Sequence, residues 1–546
     1  MLSTDQELLE RLADMPLLDR MELAAVSGRS TSFVYERIKV LESEGLVSSV
    51  PHGSELIVPT KRYFLTTSGL DSLAESTGTT TATLLRNRPA TEEWLRALLR
   101  RLDSVGVIYR LTVTLCEKAF PIRYRWYRSV PADAAIALPD GRTLAIVRLG
   151  RTVERTVVAH RIHRLRDGAR YSAALFLVAD EVRLRHLRRL TSSLPFPSFL
   201  ALERHVATAS VDTSVWRVSA GGQPVSLKTA LALARKTGAW TREPTYRRRS
   251  PPHVFTSSGE EADWLLPARL KPAEKRLLDL VSDWPWIVPH HLELLLRVER
   301  RRVASLVSKL QRRGLIEASK IDGQRRLVHS DRALTMLAHR DRASSSEARK
   351  RWSASLINED ATLEWRNVSG TRTRQLLRHI KHTEAVHSFL AEMASQARSK
   401  HLLLRQLDPP HRASRYFRHE GRMHSVQPDA FGLLISGQRR TPLFLEWERR
   451  AIRPKTMAAR LAPYLRYYSS KRPLEDHGAV PVLLVVLERE VIASRFMMVA
   501  RDEMDRAGVR LPLFVSDSQR VDQAGPLDAV WLGAEGWSRR RAFSDS

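Results

Sequence analysis

The 546-residue chain has one cysteine, Cys116, which excludes an intrachain disulfide and any cysteine-rich zinc site. It also lacks an uninterrupted apolar run of about 18 residues, so no membrane span is expected. The opening stretch, MLSTDQELLERLADMP, has acids where a secretory signal needs a basic start and an apolar core. It reads as an amphipathic helix, and the cytoplasm is the expected location. Acidic residues are few relative to basic ones: 60 Asp and Glu stand against 89 Lys and Arg, a net charge of +29. Solvated helix faces account for part of the arginine but not for the imbalance, which points to a polyanionic partner, double-stranded DNA above all. Arginine outnumbers lysine, which suits two-pronged contacts to phosphate. The apolar share, 43%, is that of a globular protein, and the length suits several domains.

Along the chain, Leu8, Leu9 and Leu12 share one face of a first helix, and a second helix follows from Asp19 to Val26. A third opens at Ser30, with Val34, Ile38 and Leu41 as a buried stripe and Gly45 just past its end. A hairpin and a closing helix come next, so residues 1–85 are expected to form a winged helix-turn-helix. Such a module lays its third helix in the major groove, which turns Ser30, Thr31, Ser32, Tyr35 and Lys39 towards DNA. The other use of the module is protein contact.

The pattern returns 269 residues later. LLERLADMP matches LLDLVSDWP, and the same offset pairs Leu23 with Leu292, Val34 with Val303, Ile38 with Val307 and Gly45 with Gly314. A second winged helix is therefore expected over 269–340. It is the more basic copy, with Arg297, Arg300, Arg301 and Arg302 at the start of its third helix and Arg312 and Arg313 at its end.

The chemistry is expected between Gln427 and Tyr468. Asp429 follows a proline and opens an apolar strand, AFGLLI; after the turn SGQRR comes a second strand, LFLEWE. Alternation puts Glu446 and Glu448 on one face and Trp447 on the other. Carboxylates on an apolar strand are costly unless a cation sits against them. Asp429, Glu446 and Glu448 are therefore candidate ligands for Mg2+ or Mn2+. Lys455 and Arg460, on the basic stretch that follows, are the cations nearest to a reacting phosphate. Pro463 is expected to interrupt that stretch, leaving the register of Tyr464, Tyr467 and Tyr468 open. These rings either pack against the sheet or supply a nucleophile. His382 and His387 lie about 140° apart on their helix and make no metal pair. His411, His419 and His424 fall in an arginine-rich loop suited to phosphate contact. An earlier segment, 131–161, echoes the acidic one, with Asp133 opposite Asp429 but Val147 and Leu149 opposite the two glutamates. That copy reads as a scaffold.

A Pro-Asp followed by an acid-x-acid strand resembles the restriction-endonuclease-like, PD-(D/E)xK-type nuclease fold. Glu448 stands where that fold usually has lysine, although some restriction enzymes use Glu-x-Glu. The longer string is similar to the replication-relaxation family of plasmids and mobile elements, related to mobilisation-type relaxases. It has a winged helix, a His-x-x-Ala-Val helix (His382, Ala385, Val386), a PDA strand, an acidic strand and a basic helix ending in tyrosines. The resemblance covers about half the chain.

The internal repeats, taken with this resemblance, imply an α/β and α+β multidomain protein of two tandem units, each a winged helix followed by an α/β nuclease-like domain. The expected division is 1–85, a degenerate nuclease-like domain at 86–218, a linker at 219–268, 269–340, a connector at 341–374, and an acid-bearing nuclease-like domain at 375–540. The implied function is site-specific DNA binding with metal-dependent nicking at an origin-like site, in company with other relaxosome or replication proteins. The alternatives are a non-enzymatic DNA-binding regulator and a defence nuclease. Oligomeric state is not written in the sequence.

Overall fold

A computed structural model describes residues 3–543 other than 130, 169, 237, 240–261, 359, 450–452 and 534–535. The centre of the expected linker, 240–261, and the last residues of the tail, 544–546, lie outside the described residues. The fold is mixed α/β, and no described helix is long and apolar enough to cross a membrane. The chain divides into two compact units: residues 1–275 with 334–349, and residues 276–333 with 350–546.

The first unit opens with helices Ser3–Asp14, Arg20–Ser27 and Thr31–Ser43, then an antiparallel hairpin of Val47–His52 and Thr60–Leu65. Asp19 and Glu22 close a reciprocal capping box on the second helix, and the Ser30 hydroxyl caps the third by accepting from the Phe33 amide. Gly45 follows that helix with φ +72°, a left-handed turn that a side chain would strain. Val34, Ile38 and Leu41 are buried, each worth about 1.5–3 kcal/mol. Leu17 has a positive φ of 71° and donates its amide to the Tyr63 carbonyl. Beside it Arg62, fully buried, is paired with Glu22 at 2.7 Å.

A six-stranded sheet follows, in the order Arg123–Trp126, Ala134–Ala137, Thr143–Leu149, Ala173–Val178, Ser198–Leu202 and Arg217–Val218. The middle pairings are parallel and the outer ones antiparallel. Its central strands are buried on both faces, which explains their unbroken apolar runs. One face packs into the same core as the first three helices, from Leu8 through Ile146 to Phe199.

The second unit also has three helices followed by a hairpin and a mixed sheet. Helices Pro272–Asp283, Pro289–Leu296 and Arg300–Arg312 lead to a hairpin of Ile316–Ile321 and Gln324–His329. The first of these helices begins four residues before the unit does. Val303, Val307 and Leu310 are buried and Gly314 has φ +63°. Trp286 has a positive φ of 68° and donates its amide to Leu327, and Arg326 is buried beside it. A seven-stranded sheet runs in the order Leu403–Asp408, Ala430–Ser436, Arg439–Glu448, Val482–Leu487, Leu513–Asp517, Trp531–Gly533 and Gly536–Arg541. Its parallel pairings are again the two central ones.

Several expectations are corrected. The strand bearing the glutamates starts at Arg439, because Gly437, with φ +56°, allows a two-residue turn that leaves both arginines paired in the ladder. The arginine-rich loop contains a hairpin, Arg415–His419 with Arg422–Val426. Pro463 does not interrupt its helix, which is continuous from Pro454 to Tyr468. Gly536–Arg541 forms the edge strand beside Trp531–Gly533.

Candidate functional site

Asp429 sits just before its strand and is fixed by backbone. Its amide donates to the Leu445 carbonyl at 2.8 Å, and its Oδ2 accepts from the Trp447 amide at 2.8 Å. These two bonds hold the aspartate next to the strand that carries Glu446 and Glu448. The neighbouring parallel strand pairs Glu446 with Val485 and Glu448 with Leu487, so the glutamates are the polar exceptions in an apolar ladder.

Each carboxylate has a different partner. His382, near the start of helix Ile380–Ser399, places Nε2 3.0 Å from Asp429 Oδ1. The Tyr464 hydroxyl donates a short hydrogen bond to Glu446 Oε1. Arg460 Nε lies 2.8 Å from Glu448 Oε2. Loss of water around Glu446, and then the charge of Asp429, push its carboxyl up to about 8. Burial works against a charged His382, yet its bond to Asp429 and that residue's charge hold its pKa above the ordinary histidine value.

Asp429, Glu446 and Glu448 line a cavity of about 770 Å3. His382, His387, Trp284 and Trp352 form its walls, and Arg372, Arg378 and Lys381 contribute cations. His387 is buried edge-on against Trp284, and burial lowers its imidazole to about 3. The two histidines thus reach one cavity from different sides of their helix. His411, in the segment read as a loop, also lines it and packs on Trp352 with ring centroids 4.7 Å apart.

The sequence candidates divide accordingly. Asp429, Glu446, Glu448 and Arg460 meet at the cavity, whereas Lys455 is exposed on the first turn of its helix and does not line it. Arg460 is committed to Glu448, so neither proposed cation faces Asp429 and Glu446 alone. Among the described residues, no group of three or more His, Cys, Asp or Glu side chains is gathered as a metal site. The tyrosines pack inward: Tyr467 is buried and bonds to Asp476, and the Tyr468 hydroxyl donates to the Pro481 carbonyl. Sequence reasoning missed Trp284, Trp352, Arg372 and His379. They come from three segments, at 284, 352 and 372–379, which only the fold brings to one cavity.

In the first unit the corresponding acid is sealed. Asp133 Oδ1 is 2.9 Å from Arg342 and Oδ2 is 2.9 Å from Arg161, with Arg101 at 3.8 Å. Although burial opposes it, these arginines hold its carboxyl far below the usual range. Val147 and Leu149 are buried on the adjacent strand.

The candidate DNA-contacting residues are at the surface. Thr31, Ser32, Tyr35 and Lys39 lie on helix Thr31–Ser43, with Tyr35 48% exposed, while Ser30 has its hydroxyl engaged as the cap. The Arg20 guanidinium lies over the Tyr35 ring at 4.3 Å. Arg300, Arg301 and Arg302 are exposed on the first turn of their helix, and Arg297 ends the preceding helix with φ +61°. Comparison with family models, curated proteins and solved structures gives no match.

Proposed function

We propose that this chain is a cytoplasmic, site-specific DNA-binding protein of a plasmid or mobile element. In this reading its second unit nicks DNA at an origin-like site with Mg2+ or Mn2+. The observation that carries the reading is the pairing of Asp429 and Glu446 in one cavity, close enough for Asp429 to raise the Glu446 carboxyl. Two facing carboxylates are a hard oxygen donor set. Mg2+ is commonly held by one or two such groups, with water and substrate phosphates completing its shell. The residues therefore fit a two-carboxylate site, with Glu448 set aside by Arg460. A bound divalent ion would supply a more acidic water and neutralise charge on the phosphate. His382 orients Asp429 through its Nε2 hydrogen bond, and Tyr464 does the same for Glu446.

A tandem architecture is part of the proposal. Leu17 and Trp286, 269 residues apart, share a positive φ and the same amide bond to the hairpin. Each sheet has its parallel pairings at the centre and its aspartate at the same register. Each three-helix and hairpin segment is read as a winged helix. The third helix of the second copy, RRRVASLVSKLQR, has five basic residues and no acid, whereas Glu36 and Glu42 interrupt the first. The second copy is thus the stronger DNA grip.

The second reading is a non-enzymatic DNA-binding regulator. The Arg460–Glu448 pair and the absence of a three-ligand group among the described residues favour it. The deciding experiment incubates supercoiled plasmid, with and without the element's own origin, with protein and Mg2+, Mn2+ or chelator. Metal-dependent open circles, lost in Asp429→Ala and Glu446→Ala while DNA binding persists, support the nickase. Intact supercoils with retained gel shifts on the origin plasmid leave the regulator.

A further inference from the structure

The cavity contains more than the acids require. Trp352 ends helix Ser345–Trp352 half-buried, and His411 is exposed beside it, their rings inclined at 58°. At that tilt the imidazole meets the indole at an angle and does not cover it as a parallel ring would. Arg372 and Arg378, on helix Thr371–Arg378, line the same cavity, and the Arg378 guanidinium lies over Trp365 at 4.9 Å. Aromatic rings and arginines that share a cavity with a pair of carboxylates make a site for a base and its phosphates.

Size restricts the form of the nucleic acid. About 770 Å3 is the volume of a small-molecule pocket. A cavity of that size encloses a single nucleotide and not a base-paired duplex. Enzymes that need a nucleotide in such a pocket take it unpaired, from a single strand or extruded from the stack.

We infer that the cavity of the second unit binds an unpaired DNA nucleotide, with its base against Trp352 and His411 and its phosphates towards Arg372 and Arg378. This rests on the reading of the cavity as the place where DNA is cut, and it specifies the substrate as a strand already opened. Sequence-tolerant stacking on aromatic rings is the general device for holding such strands.

The test is fluorescence anisotropy of the full chain in chelator with labelled oligothymidylate, a duplex of equal length and oligouridylate. Trp352→Ala and His411→Ala are each expected to weaken oligothymidylate binding about ten-fold, with duplex affinity unchanged and Trp352→Phe near wild type. His411 is exposed, so its variant decides the matter even if Trp352→Ala fails to fold. Equal losses on single strand and duplex, no loss in either variant, or a preference for oligouridylate would each overturn the inference. Because chelator removes catalysis from the measurement, failure of the nicking reading is seen separately, as intact plasmid in the presence of metal.

Discussion

Asp133 and Asp429 are held in the same way. Each donates its amide to a carbonyl of the adjacent strand at 2.8 Å, and each accepts through Oδ2 from an amide on that strand, Arg148 at 2.7 Å and Trp447 at 2.8 Å. Their surroundings differ. Arginines close over Asp133, whereas Asp429 has a histidine and a cavity.

That contrast predicts opposite costs of removal. Asp133→Asn leaves Arg161 and Arg342 without their counter-charge in a buried site, and is expected to destabilise by about 3–5 kcal/mol. Asp429→Asn, at a partly exposed site, should cost about 1 kcal/mol or less. Urea titrations of the two variants check this, and equal midpoints would refute it.

The Glu446 carboxyl gives a pH signature in metal-free protein. Its folded value is raised, from 4.5 to about 8. The folded state therefore holds a proton that the unfolded state has released between those values, and stability falls as pH rises from about 4.5 to 8. Glu446→Gln removes this dependence and should be more stable than wild type at pH 8.5, with little difference at pH 4.5. Thermal melts in chelator at the two pH values provide the measurement.

Arg460 and Lys455 are equal candidates in the sequence, but the structure separates them. Arg460→Ala releases the buried Glu448 carboxylate and removes a cation from the cavity, so nicking should fall roughly ten-fold or more. Lys455→Ala, on an exposed turn, should have the smaller effect. Initial rates on origin plasmid decide, and a larger loss for Lys455→Ala would contradict the assignment.

On the proposed DNA-binding reading, affinity should depend on helix Arg300–Arg312. The Arg300→Ala, Arg301→Ala double variant is expected to reduce the slope of log affinity against log salt by about 2. Thr31→Ala with Ser32→Ala should leave the slope unchanged, because neither side chain is charged. Equal slopes for all three proteins would place the phosphate contacts elsewhere.

The sequence by itself determined the local elements. Helical spacing located the buried stripes of Val34, Ile38 and Leu41 and of Val303, Val307 and Leu310, and alternation put Glu446 and Glu448 on one face. Such features are short-range, and each is written in a few consecutive residues.

What surrounds the acids was decided only by tertiary structure. Whether Glu448 meets a cation or joins Asp429 depends on where Arg460 falls on a helix that continues through Pro463. The raised carboxyl of Glu446 comes from burial and from a charge on another segment. The walls of the cavity, Trp284, Trp352 and His411, come from segments far apart in the chain, which only the packing of helices against the sheet brings together. Periodicity reports which face of an element is buried, but not which distant side chain it is buried against.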